Sequence, residues 1–297
     1  MAHDHNHTIT SATDINRSFM IGIALNVIYV IVEVIYGFQE NSTSLLSDAA
    51  HNVGDISGLL LAFLAFKLLK VKANGTFTYG YKKGSIVASF INSVLLAFAI
   101  GAITWEGVHK IINPSPLNGT VIMWVAGIGV IINFISAVLF KKEKENDLNV
   151  KAAYWHLMAD ALVSLGVVIS GILMHYFNWY ILDGITAIII AVVVLFSTWN
   201  LFKDSTIAIL DGVPSSINSE EIKEHLLEVK GVENIHHIHI WGMSTNENAL
   251  TAHVLIDNLQ NFPEIKANLK EELEEHSIKH STLEFELSSE HCNELQK

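Results

Sequence analysis

Six stretches of the chain stay apolar for long enough to cross a bilayer as helix, which takes about 20 residues. They cover 18–38, 45–69, 86–112, 120–140, 152–177 and 181–202. The opening residues, MAHDHNHTIT, lack the basic and then apolar run of a cleaved signal peptide. After Asp211-Gly212-Val213-Pro214 the periodicity becomes that of a small water-exposed domain. Asn218 or Ser219 is placed to cap a helix over 220–229, and Gly231 to stop it. Positions 232–243 read as a strand, 244–248 as a polar turn and 249–257 as a second strand. Pro263 opens a charged helix through about 276, and 281–287 alternate as a final strand. The expected fold class is an α-helical membrane protein with six transmembrane helices and a C-terminal α+β domain of order αββαβ. Its expected parts are a His-rich tail over 1–17, a membrane domain over 18–203 and the α+β domain over 204–297.

Lysines between the spans give an expected orientation. Lys67, Lys70, Lys72, Lys82 and Lys83 lie between or at the ends of spans two and three. Lys141, Lys142, Lys144 and Lys151 separate spans four and five, and Lys203 follows span six. The opposite loops, 39–44, 113–119 and 178–180, hold neither Lys nor Arg, although Lys110 lies just before the second. The positive-inside rule then puts both termini in the cytoplasm, and the α+β domain with them.

Composition sharpens this picture in two ways. Only 16% of residues are charged against 51% hydrophobic, where a soluble domain carries about 25% charged. Four prolines and no low-complexity blocks exclude a disordered or fibrous chain. The single cysteine, Cys292, excludes an internal disulfide framework and a Cys-based zinc ribbon, while 15 histidines remain. Metal chemistry here must run on imidazole and carboxylate. The net charge of −12 falls entirely in 204–297, which holds 6 Lys against 18 Asp and Glu. An acidic domain behind a neutral apolar body argues against nucleic-acid binding and fits cation handling.

Ionisable residues inside spans cost about 2.5–3.5 kcal/mol each on insertion scales and are functional candidates by default. Span two contains His51 and Asp55, and span five His156 and Asp160. Each pair is spaced i and i+4, so both side chains share one helix face. Together they supply two imidazoles and two carboxylates, a complete tetrahedral set for Zn²⁺. The bland alternative is a local His–Asp hydrogen bond in each helix. Asn26, Asn92 and Asn133 read as interhelical glue, and Asp48 lies near the start of span two. Glu33, Glu106 and Asp183 are expected near the outer face as solvated carboxylates, with an exit path for cations as the other reading. Outside the membrane, His3, His5 and His7 suit weak metal capture or an idle tail. His236, His237, His239 and His253 fall on the first two strands of the α+β domain, and Glu284 and Glu286 share a parity on the third. A cluster of His236, His253 and Glu286 suits a metal, although parity alone does not select among the histidines. His276, His280 and His291 read as solvated.

The run from Asn41 through Ser47-Asp48-Ala49-Ala50-His51 to Asp55 resembles the second-helix signature of the cation diffusion facilitator family. Tyr79-Gly80-Tyr81-Lys82-Lys83 is similar to the loop before that family's third helix, and Leu148-Asn149-Val150-Lys151 through Asp160 to its fifth. His239-Ile240-Trp241 and Ala252-His253-Val254 look like its zinc-transporter branch. The resemblance covers most of the chain. It implies a homodimer of six-helix protomers with a metallochaperone-like cytoplasmic domain, exchanging cytoplasmic Zn²⁺ for external protons in a bacterial inner (cell) membrane. It also implies His51, Asp55, His156 and Asp160 as the transport site, and His236, His253 and Glu286 as a regulatory Zn²⁺ site. His51 resembles zinc-preferring members, with Co²⁺ and Cd²⁺ as further candidate cargo. The chain departs from the family pattern at Gly84, where relatives often have Glu, and at Gly184, where many have Pro. Glu284 stands where some relatives have a metal-binding His, which puts a two-metal cytoplasmic site in doubt. Rival readings are a passive metal channel, a metal sensor, or an intramembrane zinc hydrolase with an open water position; for the last, HExxH and GxSxG are both missing.

Overall fold

The structure, a computed structural model, describes residues 12–139, 148–258 and 260–287. The N-terminal histidines, Lys141, Lys142, Lys144, His291 and Cys292 lie outside the described residues. Six long helices come first: α1 (Ala12–Gln39), α2 (Thr43–Leu69), α3 (Gly84–Ile112), α4 (Gly119–Leu139), α5 (Leu148–Phe177) and α6 (Ile181–Ile209). The remainder is α7 (Ser219–Glu228), β1 (Val232–Gly242), β2 (Asn248–Ile256), α8 (Phe262–Glu275) and β3 (Ile278–Leu287). The αββαβ order is the expected one. The long helices outrun the apolar stretches, because hydropathy ends at the first charge while helix propensity does not. Lys203 closes the sixth apolar run, yet α6 continues to Ile209, since Lys is a good helix former.

The chain divides into two compact units, one reaching up to Leu59 and resuming over Leu95–Thr198, the other comprising Leu60–Val94 and Trp199 onward. In the first unit Leu45, Ile122, Val167, Met174 and Val194 form an apolar core. Phe98, Trp105, Trp124 and Phe196 point outward. So much exposed apolar area suits hydrocarbon rather than water. Helices α3, α4, α5 and α6 are each long and apolar enough to cross a membrane, and α1 carries the apolar segment Ala24–Gln39. The 27 residues of α2 extend about 40 Å at 1.5 Å per residue, enough to cross despite their embedded polar groups.

Glycines allow the closest helix approaches, as small residues do in membranes. A Cβ on Gly184 would lie 2.5 Å from the carbonyl oxygen of Gly107, joining α6 to α3. One on Gly171 would lie 2.8 Å from the backbone nitrogen of Met123, joining α5 to α4. Gly184, a departure from the family pattern, therefore has a packing reason.

In the second unit β1 and β2 pair antiparallel, β2 and β3 parallel, in the order β1-β2-β3. Ile222 and Leu226 of α7 and Leu269 and Leu273 of α8 share a core with Leu250, Ala252, Val254 and Ile256 of β2. Alternation along β2 then turns Thr251, His253 and Leu255 to the opposite face of the sheet. The side chain of Asn218 caps α7 by accepting from the Glu220 and Glu221 amides. Strand β3 begins at Ile278, ahead of the expected 281, because Ile278 is buried in this core. The α2–α3 loop joins the domain through Lys82 and Glu247 at 2.5 Å and through the Lys83–Asp211 ion pair, and the first turn of α3 joins it through the Thr245 amide donating to Ser85 Oγ at 3.1 Å.

Candidate metal centres

The two i,i+4 pairs of α2 and α5 meet. His51 Nε2 lies 3.1 Å from Asp160 Oδ1, and His156 Nε2 lies 3.2 Å from Asp55 Oδ2. Within each helix, His51 Nδ1 is 4.0 Å from Asp55 Oδ2 and His156 Nε2 is 3.7 Å from Asp160 Oδ2. Each imidazole thus faces both carboxylates, and the short contacts cross between helices. The purely local His–Asp pairing is thereby displaced: the i,i+4 distances are the longer ones. Exposure grades across the cluster, with side chains 5% exposed at Asp160 and 9% at His51, but 35% at Asp55 and 50% at His156. A Cβ on Gly54 would overlap the Leu96 side chain, so glycine beside Asp55 lets α3 pack against this turn of α2.

Several polar residues stand differently from their sequence expectation. Glu33 is not a solvated carboxylate but fully buried, accepting from Tyr29 Oη at 2.7 Å and Asn52 Nδ2 at 3.4 Å. One turn before His51, Asp48 is also fully buried and accepts from Ser164 Oγ at 2.7 Å. Asp183 is fully buried as well. Its carboxylate accepts from the amides of Thr43 and Ser44 at 2.8 and 3.0 Å and from the hydroxyls of Ser42 and Ser44 at 2.7 and 2.6 Å. It fills the orphan donors at the N-terminus of α2 from another helix. Lys110 Nζ stands 3.9 Å from it and donates to the Asn41 carbonyl. Depth in the membrane, all that hydropathy supplies, says nothing of which way a helix face turns. Asn133 departs from the glue reading, for both atoms of its buried amide lack a hydrogen-bond partner among the described residues.

In the C-terminal domain, register places His236 of β1 directly opposite His253 of β2. Glu286 reaches both: its Oε1 is 2.5 Å from His253 Nδ1 and its Oε2 is 3.4 Å from His236 Nε2. That His236 nitrogen is buried and makes no hydrogen bond among the described residues. The structure also selects among the neighbouring histidines, as strand parity did not. A register shift between His236 and His239 and a left-handed φ of 51° at His237 form a β-bulge. A regular strand would send His237 to the other face; the bulge returns its ring to 5.0 Å from that of His253. His239 stays exposed, and Glu284, 71% exposed, reaches His253 Nε2 at 3.6 Å. Two histidines expected to be solvated have partners: His280 stands edge-on to Tyr79, and His276 contacts His225 and Glu272.

Residues 19–210 match the cation efflux transmembrane domain, and residues 214–286 match the cytoplasmic domain of cation efflux proteins. The chain belongs to the cation efflux family. It is an integral membrane protein that transports cations and is not an enzyme, so the hydrolase reading falls. Among its relatives, the cadmium, cobalt and zinc/H(+)-K(+) antiporter of Bacillus subtilis is 33% identical, over 96% of this chain and 92% of its own. The metal cation efflux system protein CzcD of Cupriavidus metallidurans is 33% identical over 96% and 90%. The zinc transporter ZitB of Escherichia coli is 31% identical over 96% and 93%. A solved metal-bound C-terminal domain of the C. metallidurans CzcD transporter covers 24% of this chain and all of that one, at 32% identity and a TM-score of 0.23.

Proposed function

We propose that this cation efflux protein carries Zn²⁺ out of the cytoplasm in exchange for external protons, with His51, Asp55, His156 and Asp160 as the transport site. The observation that carries this reading is the spacing of the donor atoms. Nitrogen and oxygen donors at about 2.0–2.1 Å from a tetrahedral Zn²⁺ stand about 3.3 Å apart. The two interhelical contacts, 3.1 and 3.2 Å, are close to that edge without a metal present. Relatives named as a zinc transporter and as a cadmium, cobalt and zinc antiporter support the cargo, with Co²⁺ and Cd²⁺ sharing the donor preference. Both termini lie in the cytoplasm on the lysine distribution, the membrane is the bacterial inner membrane, and two copies form a homodimer. The working domains are the tail over 1–17, the membrane domain over 18–203 and the α+β domain over 204–297.

Exchange follows from linkage, since Zn²⁺ binds imidazole and carboxylate only in their deprotonated forms. At a site facing the cytoplasm, Zn²⁺ displaces the protons from these side chains as it binds. A site facing a more acidic exterior takes up protons and loses its affinity for Zn²⁺. The four side chains therefore bind metal on one side and hold protons on the other. In proteoliposomes, Zn²⁺ uptake should rise when the lumen is acidified and fall when the external pH is lowered, because protons compete with the metal for the same donor atoms. Uptake that follows the Zn²⁺ gradient at an unchanged rate in both conditions would make this a channel.

The second cluster, His236, His253 and Glu286, reads as a regulatory Zn²⁺ site. Its donors fit the metal: a buried His236 nitrogen with no hydrogen bond among the described residues faces, at 3.4 Å, the carboxylate that holds His253, with His237 alongside. Zn²⁺ there would offset the repulsion between two domains of charge −12 and favour one arrangement of the dimer. Alanine at His236, His253 and Glu286 should leave Asp160-dependent uptake in place while removing its activation by Zn²⁺. Unaltered dimerisation together with unaltered Zn²⁺ activation would overturn the role.

A further inference from the structure

We propose that His225, Glu272 and His276 form a further Zn²⁺ site, on the helical side of the C-terminal domain. His225 lies in the last turn of α7, while Glu272 and its i+4 neighbour His276 close α8 on one face. Ile222 and Leu226 bracket His225 in sequence, and Leu269 and Leu273 precede Glu272 and His276 by one helical turn. These four apolar residues share one core, so the packing that joins α7 to α8 also brings the polar three together at its edge.

His225 Nδ1 lies 2.8 Å from His276 Nε2 and 3.2 Å from Glu272 Oε1, and His276 Nε2 lies 3.5 Å from the same oxygen. Three donor atoms thus form a triangle whose sides resemble the edges of a Zn²⁺ tetrahedron, about 3.3 Å. Each offers one donor atom to a shared cation. The side chains are 41%, 28% and 21% exposed, which leaves the fourth position to water. Two nitrogens and one oxygen suit Zn²⁺, with Co²⁺ and Cd²⁺ next and Mn²⁺ disfavoured. An open fourth position is unlike a closed structural site and suits reversible loading. Bound metal would clamp the end of α7 to the end of α8.

The site is separate from His236, His253 and Glu286. In β2, Leu250, Ala252, Val254 and Ile256 pack under the helices, whereas His253 faces the other way. The sheet and its core stand between the two clusters, so each loads without the other's ligands. The alternative at α7 and α8 is a hydrogen-bonded trio that binds no metal.

Footprinting separates the two in the full wild-type chain in detergent. Diethylpyrocarbonate modification of His225 and His276 is followed by mass spectrometry with and without Zn²⁺. With free Zn²⁺ at about ten times the dissociation constant, both should react about tenfold more slowly. The same protection should persist in His253→Ala, which leaves this cluster whole. Glu272→Gln should bind one Zn²⁺ fewer per protomer than wild type. Modification rates of His225 and His276 that Zn²⁺ leaves unchanged in the wild-type chain would overturn the site, whatever the folding of any variant.

Discussion

Asp160→Ala should lower Zn²⁺ uptake into proteoliposomes by at least about 100-fold. Loss of a residue that merely orients a metal ligand already costs about 10–100-fold, and Asp160 is placed to be a ligand. Its two oxygens face both imidazoles, at 3.1 Å from His51 and 3.7 Å from His156, and its side chain is only 5% exposed. Truncation leaves His51 buried without its interhelical partner and gives water little room to replace the oxygen. His156→Ala should be milder, because that side chain is half exposed and solvent reaches the vacated position. Circular dichroism of the purified variants separates a transport defect from misfolding. Wild-type uptake by Asp160→Ala would remove the transport site as drawn.

Asp183→Ala should be the most destabilising single carboxylate truncation, at about 3–5 kcal/mol, the range for breaking a buried charged network. The carboxylate accepts two amides and two hydroxyls from Ser42, Thr43 and Ser44. Its removal strands the two amides at the start of α2 and leaves Lys110, 4% exposed, without its counter-charge. Ser42 and Ser44 keep their mutual contact at 3.1 Å, and Ser42 Oγ still accepts from the Leu45 amide at 3.3 Å. Asp183→Asn should fall between, since the amide oxygen still accepts while the charge is lost. Thermal unfolding followed by tryptophan fluorescence in detergent reads the difference. A melting temperature equal to that of wild type would show that α2 does not depend on this cap. Loss of α2 order would also displace His51 and Asp55, so reduced uptake by this variant is an indirect effect.

HxxxD in two apolar spans already contained the geometry of the His51, Asp55, His156 and Asp160 cluster, because i,i+4 on a helix fixes a shared face. Two such faces in lipid have few polar partners but each other. Asp183 and Glu33 escaped the same logic, since each stands in its helix without a repeated motif. Only the contacts with Ser42, Thr43 and Ser44 in one case, and Tyr29 and Asn52 in the other, reveal their inward turn. His225 and His276 escaped because they are 51 residues apart and belong to separate amphipathic helices. A sequence search for His and Glu at i and i+4 on α8 would have found Glu272 and His276, but not their partner.

What the sequence determined by itself is therefore what is local or periodic. The spans follow from hydropathy, the αββαβ order from alternation and turn residues, and the two His–Asp pairs from helical spacing. These depend on near neighbours along the chain, where backbone geometry converts spacing directly into direction. The tertiary structure decided what depends on the rotation and register of whole elements. It brought α2 to α5, closed the start of α2 with a carboxylate from α6, and turned His237 back with a β-bulge. It also set His225 against Glu272 and His276. A helix rotated by one residue turns about 100° and a strand shifted by one residue changes face. Such choices are made by the sum of packing contacts across the fold, which no short stretch of sequence contains.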